Sequence, residues 1–415
     1  MKIAVIGSGI SGLTSAYYLS KKHKVDLFEK EDRFGGHSYT LDVVYKNNQK
    51  VQVDIGFMVF NKDTYPNLIN FFEENNVQIE KSDMSFSVTV KDTNIEYCGK
   101  GLRGIFSNKK NFFNFKFVKM FFEIISFYNQ CEKVQIKSLS KEMTLGEYLK
   151  QIKISQYFIN YHIIPMVSAI WSMPPYEASN MPLIFFISFF KNHGLFKLSN
   201  RPQWFTVSNR SKTYVDKILS NLSGEHYKNY EIKKIIRNDN GVKVYYGSES
   251  EFFNYDKVVL STHADETLKI IADISNEEKE VLSSFNYKKN IALVHFDQTV
   301  MPKNKKAWCS WNSSLNSKNH QQSSVTYWLN QLQNLKIDRN IFLTINPFFK
   351  IEDNLVYKKV EFTHPYYDEN ALKSQSKLSG IQNKKNTLFS GSYFGYGFHE
   401  DGIKSSIEML KTLND

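Results

Sequence analysis

The chain has 415 residues, and its 53 Lys and Arg against 42 Asp and Glu leave a net charge of +11. That length exceeds one compact core, so two lobes are expected, and the longest apolar run, Leu183 to Phe190, is far short of the roughly 20 residues that cross a bilayer. Three cysteines, Cys98, Cys131 and Cys309, are too few and too scattered for a disulfide framework or a Cys-x-x-Cys metal site, so a reducing, cytoplasmic setting without a metal is expected.

The first element is a short apolar strand, Lys2 to Ile6, running into Gly7-Ser8-Gly9-Ile10-Ser11-Gly12 and a helical pattern from Leu13 to Leu19. It reads as a strand and not a secretory signal, because a glycine turn follows it where a cleavage site would stand. A second strand, Lys24 to Lys30, completes a β-α-β unit, and Glu29 lies 17 positions beyond Gly12. Gly7 suits the tight turn, Gly9 the approach of a pyrophosphate and Gly12 the packing of helix on strand, while the free amides at the helix start face the phosphates and Glu29 the ribose. The segment therefore reads as a dinucleotide site.

A second glycine turn follows, Arg33-Phe34-Gly35-Gly36-His37-Ser38, and then Val53-Asp54-Ile55-Gly56-Phe57-Met58-Val59-Phe60-Asn61. These segments resemble the superfamily of flavin-containing amine oxidases and phytoene desaturases, in which an R-x-G-G turn after the ribose-binding Glu passes close to the flavin. The resemblance implies FAD as cofactor. It implies an α/β fold with a Rossmann-like FAD-binding domain of the amine-oxidase (GR2) type, discontinuous in sequence, and an inserted α+β substrate domain. Gly7, Gly9, Ser11, Gly12, Glu29, Lys30, Arg33, Gly35, Gly36, His37, Ser38, Gly56 and Phe57 are then cofactor-binding candidates.

Farther on, a helix is expected from Pro66, and residues 84–98 alternate as a hairpin turning at Lys91-Asp92-Thr93-Asn94. Gly101 to Leu198 is helix-rich, aromatic and basic, as a substrate cap would be. From Trp204 the pattern returns to the nucleotide domain, with a strand-turn-strand meander through Asp239-Asn240-Gly241 and a buried strand at Lys257 to Leu260. Residues 288–363 carry further alternating strands. The expected division is 1–82, 200–285 and 364–415 for the FAD domain, and 83–199 with 286–363 for the substrate domain.

The C-terminal stretch has a strand, Thr387 to Ser390, then a loop punctuated by Gly391, Gly395, Gly397 and Gly402, then a helix from about Gly402 to Leu413. In the resembled superfamily this segment lies against the isoalloxazine with the helix start facing its N1–C2=O edge, which adds Gly391, Ser392, Gly397, Phe398, His399, Glu400, Asp401 and Gly402 to the cofactor candidates. Many flavoproteins have Gly-Asp where this chain has Gly391-Ser392. A second departure is Asn209-Arg210, where a Gly-Gly turn is expected; a side-chain contact from Arg210 or Ser211 would replace a close backbone approach. The run Gly397-Phe398-His399-Glu400-Asp401-Gly402, with Pro165 to Pro174, Asn192 to Phe196 and Arg201 to Trp204, resembles a bacterial amine-oxidase-like subgroup similar to the flavoprotein of furan fatty acid synthesis. That implies desaturation of a methyl-branched acyl chain of membrane phospholipid beside a methyltransferase partner.

Hydride transfer to flavin N5 needs positioning and water exclusion more than acid–base machinery, but desaturation also releases a proton. Candidate bases are His399, Glu400, His162, His193 and Glu177; His399 and Glu400 lead by position, with helix capping as their structural alternative, and Tyr396 joins them as a catalytic candidate. Trp171, Trp204, Tyr393, Tyr396 and Phe398 are candidates for an apolar wall, against the alternative that they are core. Amine oxidation, carotenoid-type desaturation and a non-catalytic flavin-binding role beside a methyltransferase remain open. Gly104 to Asn129 joins Lys109, Lys110, Lys116 and Lys119 to a dense Phe and Ile face, which reads equally as a helix docking on anionic membrane or a cap helix packed on its lobe. The cationic excess is dispersed and carries no reading module, so nucleic acid is not expected as a partner.

Overall fold

The computed structural model describes residues 1–413 apart from 47, 94, 141, 248, 249 and 320. Strand Lys2–Ile6 pairs in parallel with Lys24–Phe28 on one side and Lys257–Leu260 on the other, and Thr387–Phe389 and His226–Tyr227 extend these into a five-stranded parallel sheet. Successive side chains of a strand point to opposite faces, and here both faces are covered. Ile3 and Val5 join the core beneath the helices Ile10–Ser20 and His399–Lys411, while Ala4 and Ile6 join the core on the side of the meander Ile232–Tyr255.

The second lobe is a seven-stranded sheet in the order Val356–Tyr366, Asn286–His295, Phe342–Ile345, Ser323–Trp328, Trp311–Leu315, Phe86–Val90 and Glu96–Cys98. All its pairs are antiparallel except Trp311–Leu315 with Phe86–Val90. The hairpin of residues 86–98 is present; Asn94 of its expected turn lies outside the described residues. Strand Phe342–Ile345 is buried along its whole length, because Leu343 and Ile345 join one hydrophobic cluster and Phe342 another on the opposite face, and so it does not alternate as expected. Strand Val356–Tyr366 runs past residue 363 and carries His364 and Pro365 toward the parallel-sheet lobe.

Two local readings are corrected. The C-terminal helix begins at His399, not near Gly402. The Asp401 carboxylate reaches back to accept from the Phe398 amide at 2.9 Å, so the helix is capped one turn earlier. Gly402 is then a helix-interior residue whose lack of a side chain is needed: a Cβ there would lie 2.7 Å from Ser11 Oγ and 2.8 Å from Ile10 Cγ2, so the two helix starts touch through it. The Asn209-Arg210 turn keeps a left-handed backbone, with φ of 60° and 75°. The side chains of Arg210 and Ser211 are taken up by the protein: Arg210 donates to the carbonyls of Gln52 and Gln333, and the Ser211 amide and hydroxyl bond Asp54. The side-chain contact expected from Arg210 or Ser211 is therefore absent: Arg210 is committed to a bond across the lobes to Gln333, and Ser211 to Asp54 within its own lobe. Among the described residues no helix is long and apolar enough to cross a membrane.

Candidate active site

The glycine turn after the first strand divides its work by atomic spacing. A Cβ on Gly12 would fall 1.8 Å from the Gly7 carbonyl oxygen, so helix and turn can close on each other only with glycine there. A Cβ on Gly9 would meet no protein atom within 4 Å, so that face of the turn opens into the cavity. The helix that follows starts at Ile10 with no side-chain cap and no acidic residue in its first turn, leaving its amides and the positive end of its dipole for an anion.

Glu29, at the end of the second strand, is held beneath this turn. Its Oε2 accepts from the Ser8 hydroxyl at 2.5 Å and the Ser8 amide at 3.1 Å, and Oε1 accepts from the Glu31 amide at 3.0 Å. The second glycine turn docks on the first: the Gly35 amide donates to Ser8 Oγ at 3.0 Å, and a Cβ on Gly36 would lie 2.9 Å from Gly9 Cα. Arg33 donates to the Gly36 carbonyl at 2.7 Å with its guanidinium over the Tyr39 ring, while Lys30 is paired with Glu266 at 2.5 Å.

A cavity of about 1020 Å³ starts at this cradle and runs between the lobes, at the upper end of the range of about 300–1000 Å³ usual for ligand sites. Gly7, Gly9, Ser11, Glu29, Lys30, Arg33, Gly36, His37, Gly56, Phe57, Gly391, Ser392, Tyr396, Gly397, Phe398 and His399 all line it. Gly12, Gly35, Ser38, Glu400, Asp401 and Gly402 do not, and Asp401 lines a separate pocket with Phe394, Gly395 and Tyr396. Of the aromatic candidates, Trp171, Tyr393, Tyr396 and Phe398 face it, whereas Trp204, in the strand Trp204–Val207, is absent from its lining and packs against Tyr65 at the start of the helix Pro66–Glu74. The Trp171 indole donates to the Tyr396 carbonyl at 3.3 Å, which ties the cap helix Ile164–Trp171 to the C-terminal loop.

The candidate bases sit mostly elsewhere. His399 touches the cavity, but its Nε2 is engaged by the hydroxyls of Ser38 at 3.0 Å and Tyr214 at 3.1 Å, its ring stacks on Phe57 at 3.7 Å, and burial lowers its pKa to about 3. It is a neutral tether of the second glycine turn. Glu400 accepts from the Asn67 amide and side chain at 3.1 and 2.6 Å and the Leu68 amide at 2.9 Å, so it caps the helix Pro66–Glu74. His162 is clamped between the hydroxyls of Tyr97 and Tyr128, His193 is buried on Phe189, and Glu177 is paired with Lys288. None of these four lines the cavity.

Sequence reading missed His263 and His364, which line the cavity with His37. His37 and His364 rings lie 5.1 Å apart and His37 stacks on Phe362, while His263 stacks on Tyr287. Burial keeps all three neutral: it pushes His37 well down, with the neighbouring His364 and His263 adding to it, lowers His364 to about 4, and lowers His263 against the opposing pull of Glu266 and Asp265. Asn290 Nδ2 donates to His364 Nδ1 at 2.8 Å, which leaves the proton of the neutral ring on Nε2. The signal lay in strand period: Phe362 and His364 share one face of Val356–Tyr366, but nothing local said that this face meets His37.

The residues fit FAD. The cradle at Gly9, the carboxylate of Glu29 and the uncapped helix start suit an adenine-ribose pyrophosphate. Four buried polar atoms on residues of the cavity wall, His37 Nε2, Tyr393 Oη, Asp265 Oδ1 and Trp311 Nε1, have no partner in the protein, an arrangement that a polar ring system could satisfy.

Residues 5–74 match the model of the NAD(P)-binding Rossmann-like domain. A stretch of 57 residues is 46% identical to the 4,4'-diapolycopen-4-al dehydrogenase of Metabacillus indicus, covering 14% of this chain and 11% of that protein, so the chain matches only about a tenth of that relative's length. Solved structures match along the whole chain. A CLA-producing fatty acid isomerase from P. acnes superposes with a TM-score of 0.69 at 14% identity, covering 99% of this chain and 98% of that one. Wild-type putrescine oxidase bound to putrescine superposes with a TM-score of 0.69 at 12% identity, covering 100% of both chains. The fold is the amine-oxidase type of FAD-binding fold, a Rossmann-like parallel sheet with a second, sheet-based lobe.

Proposed function

We propose that the protein is an FAD-dependent oxidoreductase that desaturates an acyl chain, with a methyl-branched chain of a phospholipid as its substrate. The observation that carries the reading is the single cavity that joins the dinucleotide cradle at Gly9 and Glu29 to a wall of Met58, Ile170, Trp171, Tyr396 and Phe398. FAD, when bound, supplies a hydride acceptor for an unactivated C–H bond. Glu29 would hold the ribose hydroxyls, the amides at Gly9 to Ser11 the pyrophosphate, and Gly56, Phe57 and the Gly391 to Phe398 loop the ring system. The aromatic wall binds and orients an apolar chain and excludes water. Of the imidazoles on the wall, His37, whose Nε2 has no partner in the protein, and His263 are placed to take the proton that leaves beside the hydride, whereas His364 Nδ1 is already held by Asn290. The fatty acid isomerase of similar fold supports an acyl chain as the substrate class; putrescine oxidase supports the redox chemistry and leaves amines as the alternative.

The test is anaerobic addition of a methyl-branched unsaturated phospholipid to the FAD-loaded protein. Bleaching of the flavin bands, with a product two mass units lighter about the new double bond, is expected for the removal of two hydrogens. Bands that persist with lipid but bleach with small amines would replace the substrate class, and bands that no donor bleaches would favour a flavin-binding partner of a methyltransferase.

A further inference from the structure

The helix Phe115–Lys133 turns Phe117, Met120, Ile124, Phe127, Tyr128 and Cys131 into the core, so its dense apolar face is not free. The exposed apolar groups gather instead at its start and in the turns before it. Leu102 is 64% exposed, Phe112 57%, Phe113 92%, Phe115 82% and Phe122 64%, half of the ten exposed large hydrophobic side chains among the described residues.

This tip is built, not frayed. Phe106 stacks on Phe112 at 4.0 Å, Asn111 donates to the Glu96 carbonyl at 3.1 Å, and Asn114 caps the helix through the Phe117 amide at 3.2 Å. Lys100, Arg103, Lys109, Lys110, Lys116 and Lys119 surround it, all exposed, and no Asp or Glu occurs between Glu96 and Glu123. Those two bounding carboxylates turn inward: Glu96 accepts from the amides of Lys303 and Asn304, and Glu123 from Ser155, with Lys119 at 3.8 Å.

We propose that this tip docks the protein on the surface of an anionic bilayer, with Phe112, Phe113 and Phe115 entering the headgroup–acyl boundary and the six cations meeting lipid phosphates. Protruding rings ringed by one sign of charge suit a fluid anionic surface, where apolar insertion and charge attraction add. A protein partner would need a broad complementary face of about 800 Å², which three protruding rings do not offer.

The test is co-sedimentation of the full chain with vesicles of phosphatidylcholine alone and of phosphatidylcholine with phosphatidylglycerol. It is read without turnover, so its failure leaves the redox reading standing. Wild type should pellet with the anionic vesicles and lose the interaction in high salt. Phe113→Ser with Phe115→Ser, and separately Lys109→Glu with Lys110→Glu and Lys116→Glu, should each weaken partitioning about tenfold or more. Because all five positions are exposed, circular dichroism and melting of the variants should match wild type. In a Phe113→Trp protein, emission should shift to the blue on anionic vesicles. Absence of binding by wild type, binding that neither variant weakens, or self-association abolished by the Phe variant without any vesicle binding would each overturn the proposal.

Discussion

Gly9 and Gly12 stand three residues apart in one turn and should fail in opposite ways when enlarged. Gly9 has φ −63° and ψ 179°, a conformation open to any residue, and a Cβ there meets no protein atom. Gly9→Val should therefore leave the FAD-free protein as stable as wild type, while its side chain occupies the space where a pyrophosphate meets the backbone. Losing one or two hydrogen bonds to a charged group costs about 2–4 kcal/mol, which is a weakening of FAD binding of roughly 30- to 1000-fold. Gly12→Ala should do the reverse, because its Cβ would overlap the Gly7 carbonyl at 1.8 Å and forcing helix from turn costs about 1–3 kcal/mol or more. Thermal unfolding of the FAD-free proteins and titration with FAD, read by quenching of flavin fluorescence, separate the two. A Gly9→Val protein that melts as early as Gly12→Ala, or that binds FAD as wild type does, would refute this division of roles.

Further outcomes follow from the groups around the cavity. Glu400→Ala should destabilise the protein by about 1–2 kcal/mol through the lost cap on Pro66–Glu74 and leave flavin binding nearly intact; loss of turnover at unchanged melting temperature would instead make Glu400 a catalytic group. Burial raises the Asp401 carboxyl to about 6. A carboxyl whose folded pKa lies above its unfolded value of 3.8 loses stability as pH rises between the two, by about 3 kcal/mol in all, so Asp401→Asn should shrink the fall in melting temperature between pH 4 and 7. His364 sits at about 4, so a step in turnover that depends on its neutral ring should persist down to about pH 5 and fall through pH 4; a profile that instead falls on passing below pH 7 would contradict a neutral buried imidazole.

The nucleotide half of the fold was legible because its signals are steric and local. Gly12 is glycine because a carbonyl lies under it, and Glu29 ends a strand whose length the β-α-β unit fixes. The C-terminal site was legible only in part. His399 and Glu400 follow a loop that does reach the cavity, but they open a helix, where consecutive side chains point in different directions; one stacks on Phe57 and the other reaches Asn67. Gly402 looked like a loop residue because its reason, contact with Ser11, lies nearly the whole chain away. His263 and His364 belong to different lobes, and only the crossing of strand Val356–Tyr366 into the FAD-type lobe brings them to His37. The aromatic and basic stretch at Gly104 to Asn129 showed its composition but not its division, with the Phe117 to Cys131 face in the core and Phe112, Phe113 and Phe115 outside.

The most direct measurement of the central claim is the visible absorption spectrum of the purified protein after incubation with FAD and removal of the excess. Oxidised flavin bands at one FAD per chain, shifted from those of free FAD by a buried ring system and abolished by Gly9→Val, are the expected result. A folded protein that retains no flavin after reconstitution would contradict the account from its first glycine turn onward.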